Sequence, residues 1–178
     1  MNSGWVKGVA ALAMIAALAA CNRGPETGNA EAEANLKAGQ EFLAKNAKEE
    51  GIQTLPGGIQ YKVVRSGPPG GESPDGNDLV RVDYEGSLTD GTVFDSSYER
   101  GQPAVFTLDS VIPGWSEAVQ QMKVGDEWIV FVPADKGYGE RSSPEIPANS
   151  VLVFRLKLLD LARTPGDGSI SRATTANG

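Results

Sequence analysis

Two stretches of the sequence alternate between apolar and polar side chains, and this alternation constrains the fold more than any other feature. In residues 79–88, Val80, Val82 and Tyr84 fall on one face of an extended chain, and charged side chains fall on the other. Residues 151–161 repeat the pattern. Because successive side chains of a strand point to opposite faces, each stretch predicts a strand with one buried and one solvated face. Such strands are typical of an antiparallel sheet.

Shorter segments complete the prediction of an α+β domain. Trp115, Val119 and Met122 stand at helical spacing in one short helix, which Gly125 ends. Residues 134–150 contain two glycines and two prolines, so we expect a long ordered loop or flap there. Extended structure is expected in four further places: residues 59–64, 93–96, 104–108 and 127–133.

The first twenty residues have the pattern of a secretory signal. Lys7 precedes an apolar run over residues 9–18, which is shorter than the ~20 residues that a membrane-spanning helix needs. Small residues then lead to Cys21, and the sequence LAAC resembles the lipobox of bacterial lipoproteins. That resemblance implies cleavage after residue 20 and a lipid on Cys21, with Asn22 favouring the outer membrane on its periplasmic side. An ordinary signal peptide with an incidental cysteine is the alternative.

The segments on either side of the sheet are predicted from composition. Residues 21–30 contain turn formers without an apolar pattern and predict a flexible tether. Residues 31–55 predict a moderately amphipathic helix and a connector, with Leu36, Leu43 and Ala47 on one helical face. This helix is expected to pack loosely on the domain or to act as a spacer. The folded domain is assigned to residues 56–162, and residues 163–178 are predicted to be a disordered tail.

The composition excludes several classes of chemistry. The chain has no histidine and a single cysteine, which argues against Ser-His-Asp triads, Cys-His pairs and most zinc or iron sites. Its formal charge of −7 argues against nucleic acid and anionic lipid headgroups as partners. Residues 75–78 lack the spacing of a calcium loop and predict a solvated turn. We therefore expect no metal, no cofactor and no nucleic-acid partner.

Aromatic side chains are the most distinctive candidates for a site. Each falls in a different predicted element, so a pocket can form only in the tertiary fold. An ordinary core position is the alternative for any one of them. The six candidates are Tyr84, Phe94, Phe106, Trp115, Tyr138 and Phe154.

Several of these residues stand inside motifs that resemble a known family. VDYEGSLTDGTVFDSS at residues 82–97 resembles the first signature of FKBP-type peptidyl-prolyl cis/trans isomerases, and VIPGW at 111–115 with MKVG at 122–125 resembles the second. Tyr138-Gly139 and LVF at 152–154 follow in the family's order. The resemblance covers residues 56–161 and implies a half-barrel antiparallel sheet wrapped around one short helix, preceded by the N-terminal helix.

The resemblance also implies a shallow apolar pocket between the sheet and the helix, with Trp115 as its floor. Tyr138 would donate a hydrogen bond to a substrate carbonyl, and Asp95 would orient neighbouring groups; a turn-capping carboxylate is the alternative for Asp95. The side chains implied to bind substrate are Phe94, Phe106, Val111, Ile112, Trp115 and Ile146. Those implied in catalysis are Tyr84, Asp95, Tyr138 and Phe154.

The implied reaction is non-covalent rotation about X-Pro bonds in unfolded or exported polypeptides. Since no imidazole titrates, activity should be nearly flat between pH 6 and 8. Ala104 stands where many members place an aromatic residue, which puts affinity for bulky macrolides in question. A periplasmic chaperone or peptide-binding module with little turnover is the alternative function.

Residues 40–47 also resemble the macrophage infectivity potentiator group, whose members dimerise through longer N-terminal helices. Because the predicted helix here is short, we expect a monomer that meets the membrane only through its lipid.

Overall fold

The computed structural model describes residues 25–165, with side chains from residue 28 onward. The predicted signal peptide, Cys21, the first part of the tether and most of the tail lie outside these residues. Among the helices within 25–165, none has the length and apolar character needed to cross a membrane.

The described residues form an α+β fold with one antiparallel sheet, as the sequence predicts. Strand order across the sheet is β1-β2-β6-β7-β3-β4, and β5 pairs with β3 beside β4. The helices are α1 (Pro25–Asn46) and α2 (Pro113–Val119), with a 3-10 turn at Ala134–Lys136. The strands are β1 (Ile52–Thr54), β2 (Gln60–Arg65), β3 (Leu79–Leu88), β4 (Val93–Ser96), β5 (Ala104–Thr107), β6 (Glu127–Val132) and β7 (Leu152–Ala162).

The two alternating stretches pair with each other at the centre of the sheet. β3 and β7 are hydrogen-bonded along their lengths, with Tyr84 opposite Leu156 and Gly86 opposite Phe154. Val80 and Val82 of β3 are buried on the same face, as the alternation predicts. This face packs against α2, so one apolar core lies between helix and sheet.

A seven-residue helix is not stable alone in water, so α2 depends on tertiary contacts. Pro113 occupies its first turn, where the missing N–H costs nothing. Trp115, Ala118 and Val119 are buried against the sheet. Full burial of an aliphatic side chain contributes about 1.5–3 kcal/mol, so the core face determines where the helix sits.

The N-terminal helix begins earlier than predicted, and the face that packs on the sheet is not the predicted apolar stripe as a whole. It begins at Pro25, so residues 25–30 are helical rather than a flexible tether. Of the predicted stripe, Leu43 is half-buried on the contacting face, whereas Leu36 is 42% exposed and Ala47 is exposed. That contacting face contains Ala32, Asn35, Gly39, Phe42, Leu43 and Asn46. The predicted connector contains strand β1, and Gly51, with φ 81°, lies in the turn before it.

The start of the predicted tail is bound to the domain. Asp78 is 1% exposed, although residues 75–78 were expected to be a solvated turn. It accepts hydrogen bonds from the Arg163 guanidinium at 2.8 Å and from the Thr164 N–H at 2.9 Å. Residues 163 and 164 are therefore held by a buried carboxylate 85 residues earlier in the chain.

Candidate active site

Trp115 is the central member of a cluster of four aromatic residues contributed by four elements. It is 4% exposed, at the N-terminal end of α2. Three rings meet its indole edge to face, with centroid distances of 5.1 Å to Tyr84, 5.6 Å to Phe106 and 5.2 Å to Phe154. Such pairs contribute about 0.5–1.5 kcal/mol each beyond burial. These contacts hold the indole as a rigid floor.

An open pocket of about 260 Å³ lies above this floor. The size suits a small ring rather than an extended ligand, and most of the lining is apolar. Its walls come from β3, β4, β5, the loop before α2, the flap and β7. The lining residues are Tyr84, Phe94, Asp95, Phe106, Ser110, Val111, Ile112, Trp115, Tyr138 and Phe154.

All but one of the predicted pocket residues are brought together here. The exception is Ile146, which lines a neighbouring hollow with Tyr138, Arg141, Ser142 and Ser143. The two cavities share Tyr138, so Ile146 lies beside the pocket rather than in its wall. Ser110, which the sequence did not single out, lines the pocket mouth. Its hydroxyl donates to the Thr107 carbonyl at 2.8 Å.

One corner of the pocket is polar and fully connected. The Tyr84 hydroxyl donates a hydrogen bond to one Asp95 oxygen, and the Arg100 guanidinium donates to the other. A second Arg100 nitrogen donates to the Tyr84 hydroxyl at 2.9 Å, and the guanidinium carbon lies 5.3 Å from the centre of the Tyr84 ring. Each group therefore fixes the other two.

This network keeps Asp95 ionised and Tyr84 protonated. Burial acts to raise the pKa of Asp95, but the hydrogen bonds from Tyr84 and Arg100 and the Arg100 charge outweigh it, so the pKa lies below its usual 3.8. Burial, followed by the hydrogen bond to Asp95, raises the pKa of Tyr84 above 10. Neither group changes charge near neutral pH.

Arg100 is a member of this network that the sequence analysis did not single out. It lies in the turn that follows β4 and is exposed, so it has no pattern that separates it from a surface arginine. The available signal is its spacing: an arginine five residues after a carboxylate, across a turn, can return to pair with it.

Two hydrogen-bond donors on residues that line the pocket have no acceptor among residues 25–165. The Ile112 backbone N–H, at the residue before α2, has none, and neither has the Tyr138 hydroxyl. Tyr138 is 39% exposed at the start of the flap. A buried third donor, Trp115 Nε1, also has no partner. The pocket thus offers donors at its rim and an apolar interior.

Gly86 makes room for two walls of the pocket. It lies on β3 between the rings of Phe94 and Phe154, which meet edge to face at 5.7 Å. A Cβ atom at position 86 would lie 2.7 Å from Phe94 and 2.8 Å from Phe154, closer than carbon atoms pack. The missing side chain therefore lets both rings close on the pocket.

Among the residues that line the pocket, Asp95 is the one side chain of a type that commonly binds metal ions. Within the described residues, no group of three or more histidine, cysteine, aspartate or glutamate side chains could hold a metal ion. The single carboxylate in the pocket is already paired with Arg100.

An antiparallel sheet wrapped over one short helix, with a tryptophan-floored pocket between them, is the architecture of a known family of small domains. The family model described as FKBP-type peptidyl-prolyl cis-trans isomerase matches residues 70–159, and the model for the domain amino-terminal to it matches residues 9–63. The chain belongs to the FKBP-type peptidyl-prolyl cis-trans isomerase family.

Individual relatives agree with this assignment. The chain is 49% identical over 134 residues to "FKBP-type peptidyl-prolyl cis-trans isomerase FkpA" of Aeromonas hydrophila, covering 75% of this chain and 49% of the relative. It is 46% identical over 136 residues to "Outer membrane protein MIP" of Legionella longbeachae, covering 76% and 58%. The chain spans about half the length of the curated relatives it matches.

Solved structures show the same fold. The crystal structure of FkpA from Escherichia coli matches with a TM-score of 0.74 at 42% identity, covering 79% of this chain and 65% of that one. A peptidyl-prolyl cis-trans isomerase from Pseudomonas syringae pv. tomato matches with a TM-score of 0.69 at 38% identity, covering 74% and 96%.

Proposed function

We propose that this chain catalyses cis/trans isomerisation of X-Pro bonds through the Trp115 pocket. The observation that carries the proposal is the aromatic pocket above Trp115, with free donors at its rim. The prolyl ring would lie on the indole of Trp115, between Phe106 and Phe154. This placement leaves the amide bond before the proline at the pocket rim, near Asp95 and Tyr138.

The chemistry follows from the electronic structure of the amide. Resonance makes the planar X-Pro bond polar and rigid, with a rotation barrier of ~18–20 kcal/mol and isomerisation times of tens to hundreds of seconds. Twisting removes the resonance and lowers the polarity of the bond. An apolar pocket disfavours the planar forms more than the twisted one, since polar groups lose more hydration on burial. Such a pocket lowers the barrier without a covalent step.

The rim donors would hold the chain on each side of the rotating bond. The Tyr138 hydroxyl and the Ile112 N–H can each donate to a substrate carbonyl, so one side of the bond stays fixed while the other turns. Asp95, kept ionised by Tyr84 and Arg100, orients the polar corner and presents a fixed negative charge to the amide. Removing about 4–7 kcal/mol from the barrier gives about 10³ to 10⁵ in rate.

A protease-coupled assay on short X-Pro peptides tests this function. We expect the purified chain to accelerate isomerisation, and Asp95→Ala and Tyr138→Phe each to lower kcat/KM while the circular dichroism spectrum is unchanged. Asp160→Ala is the matched control, because Asp160 also pairs with an arginine but lies away from the pocket. A folded wild-type chain without activity would overturn the proposal and favour the binding-module alternative.

We further propose that the chain acts on exported, proline-containing polypeptides in the cell envelope. The support is the lipobox-like sequence that ends at Cys21, together with a relative whose name places it in the outer membrane. Expression with labelled fatty acid tests this directly. Wild type should carry label and partition with membranes, whereas Cys21→Ala should carry none; unlabelled wild type would contradict a lipid anchor.

A further inference from the structure

Helix α1 is joined to the end of the flap by a reciprocal pair of hydrogen bonds. Asn35 on the helix donates to the Ala148 carbonyl at 3.0 Å. Asn149, next in the chain, donates in return to the Ala32 carbonyl at 3.1 Å. The two bonds connect segments more than a hundred residues apart in sequence. Each asparagine thus satisfies a carbonyl of the opposite segment.

Asn149 also closes the flap on itself. Its backbone N–H donates to the Gly139 carbonyl at 2.7 Å, so residues 139–149 form a closed loop. Its φ of 59° is the only positive value of a non-glycine residue within residues 25–165. Asparagine tolerates this conformation better than most residues, but glycine would tolerate it at no steric cost. The side-chain bond to α1 gives a physical reason for asparagine here.

The helix also approaches the chain closely where the flap returns to β7. Gly39 is buried, and a Cβ atom at this position would lie 2.8 Å from the Val151 side chain. Phe42, one turn further along, meets Phe131 with ring centres 6.0 Å apart. The helix backbone therefore lies directly against the base of the flap.

We propose that Asn35 and Asn149 form a latch through which α1 positions the flap over the pocket. The flap, residues 134–150, contains the pocket residue Tyr138 and carries the neighbouring hollow that Ile146 lines. Fixing residue 149 fixes the flap's far end, because the Asn149–Gly139 bond joins it to the near end. Asn35 and Asn149 are thus positioning residues. Their effect on catalysis rests on the proposed isomerase function.

The opposite end of α1 offers a matched control. Asn46 donates to the Gln60 side chain at 2.8 Å, and Gln60 donates to the Leu43 carbonyl at 2.9 Å. These bonds attach the helix to β2, away from the flap. Asn46→Ala should weaken helix packing as much as a latch variant does, without loosening the flap.

The experiment compares Asn149→Gly, Asn35→Ala and Asn46→Ala in the whole chain. Asn149→Gly removes the side-chain bond and keeps the positive φ free of strain. We expect both latch variants to raise KM for X-Pro peptides about two- to tenfold with little change in kcat, the factor expected for one lost hydrogen bond. The variant that combines Asn35→Ala and Asn149→Gly should raise KM by less than the product of the two single increases, since both bonds hold the same segment.

Amide hydrogen exchange gives a readout that does not depend on catalysis. Ser143 donates to the Ile146 carbonyl within the flap at 2.9 Å. Exchange of this amide and of the Asn149 amide should be faster in the latch variants and unchanged in Asn46→Ala. Equal exchange in all four chains, or an equal KM increase in Asn46→Ala, would overturn the latch. An inactive wild type with fast exchange only in the latch variants would refute the isomerase and leave the latch intact.

Discussion

Replacing Gly86 by alanine tests whether the pocket depends on the close approach of its two phenylalanine walls. The added methyl carbon would lie 2.7–2.8 Å from the rings of Phe94 and Phe154. Carbon atoms prefer a separation of about 3.5–4.0 Å, so each ring must move away by about 1 Å. Phe154 is 3% exposed and packs on Trp115 at 5.2 Å, which leaves it little room. Phe94 is half-buried and can move, but only by changing the shape of the pocket.

The expected result has two parts. Overpacking should lower the free energy of unfolding by about 1–3 kcal/mol in a urea titration. A wall displaced by about 1 Å should lower kcat/KM about ten- to a hundredfold in the peptide assay. Gly76→Ala is the control, because its Cβ would meet only the Gln120 side chain at an ordinary 3.5 Å. Wild-type activity in a folded Gly86→Ala chain would refute the account of how these walls shape the site.

Three further results follow from the polar contacts and the helix. Activity on peptides should be level from about pH 5 to 9. The pKa of Asp95 is held below 3.8, so its negative charge is available for catalysis at every pH above that value. The charge is lost only as the pH falls through the lowered pKa of the folded chain. A bell-shaped activity profile centred near pH 7 would contradict this. Arg163→Ala should lower the free energy of unfolding by about 1–3 kcal/mol in a denaturant titration, since it removes one partner of the buried Asp78. A stability unchanged within 0.3 kcal/mol, an approximate measurement limit, would show that the backbone bonds from Asp75 and Thr164 are sufficient. Sedimentation at increasing concentration should give the mass of one chain, and a doubling of mass would refute the predicted monomer.

The sequence predicts the sheet and most of the pocket because their signals are local. The alternation in β3 and β7 reports burial directly, and the motif residues from Tyr84 to Asp95 lie within one hairpin. Pocket residues such as Val111, Ile112 and Trp115 lie close to the start of α2, which a proline marks in the sequence.

The positions of Ile146, Asp78 and the face of α1 depend on contacts that no local pattern encodes. Ile146 lies in a flap without periodicity, whose path the turns at both ends determine. Asp78 looks like a turn residue because its partner Arg163 is distant in sequence. The helix packs through Phe42 and Leu43, but also through Asn35 and Gly39, which an apolar stripe does not reveal.

The most direct test of the isomerase proposal is exchange spectroscopy by NMR on an X-Pro peptide with a catalytic amount of the chain. The account predicts cis/trans exchange that is accelerated in proportion to chain concentration, with the equilibrium ratio of the isomers unchanged. Peptide signals that shift on binding while the exchange rate stays at its uncatalysed value would contradict it and identify the pocket as a binding site without turnover.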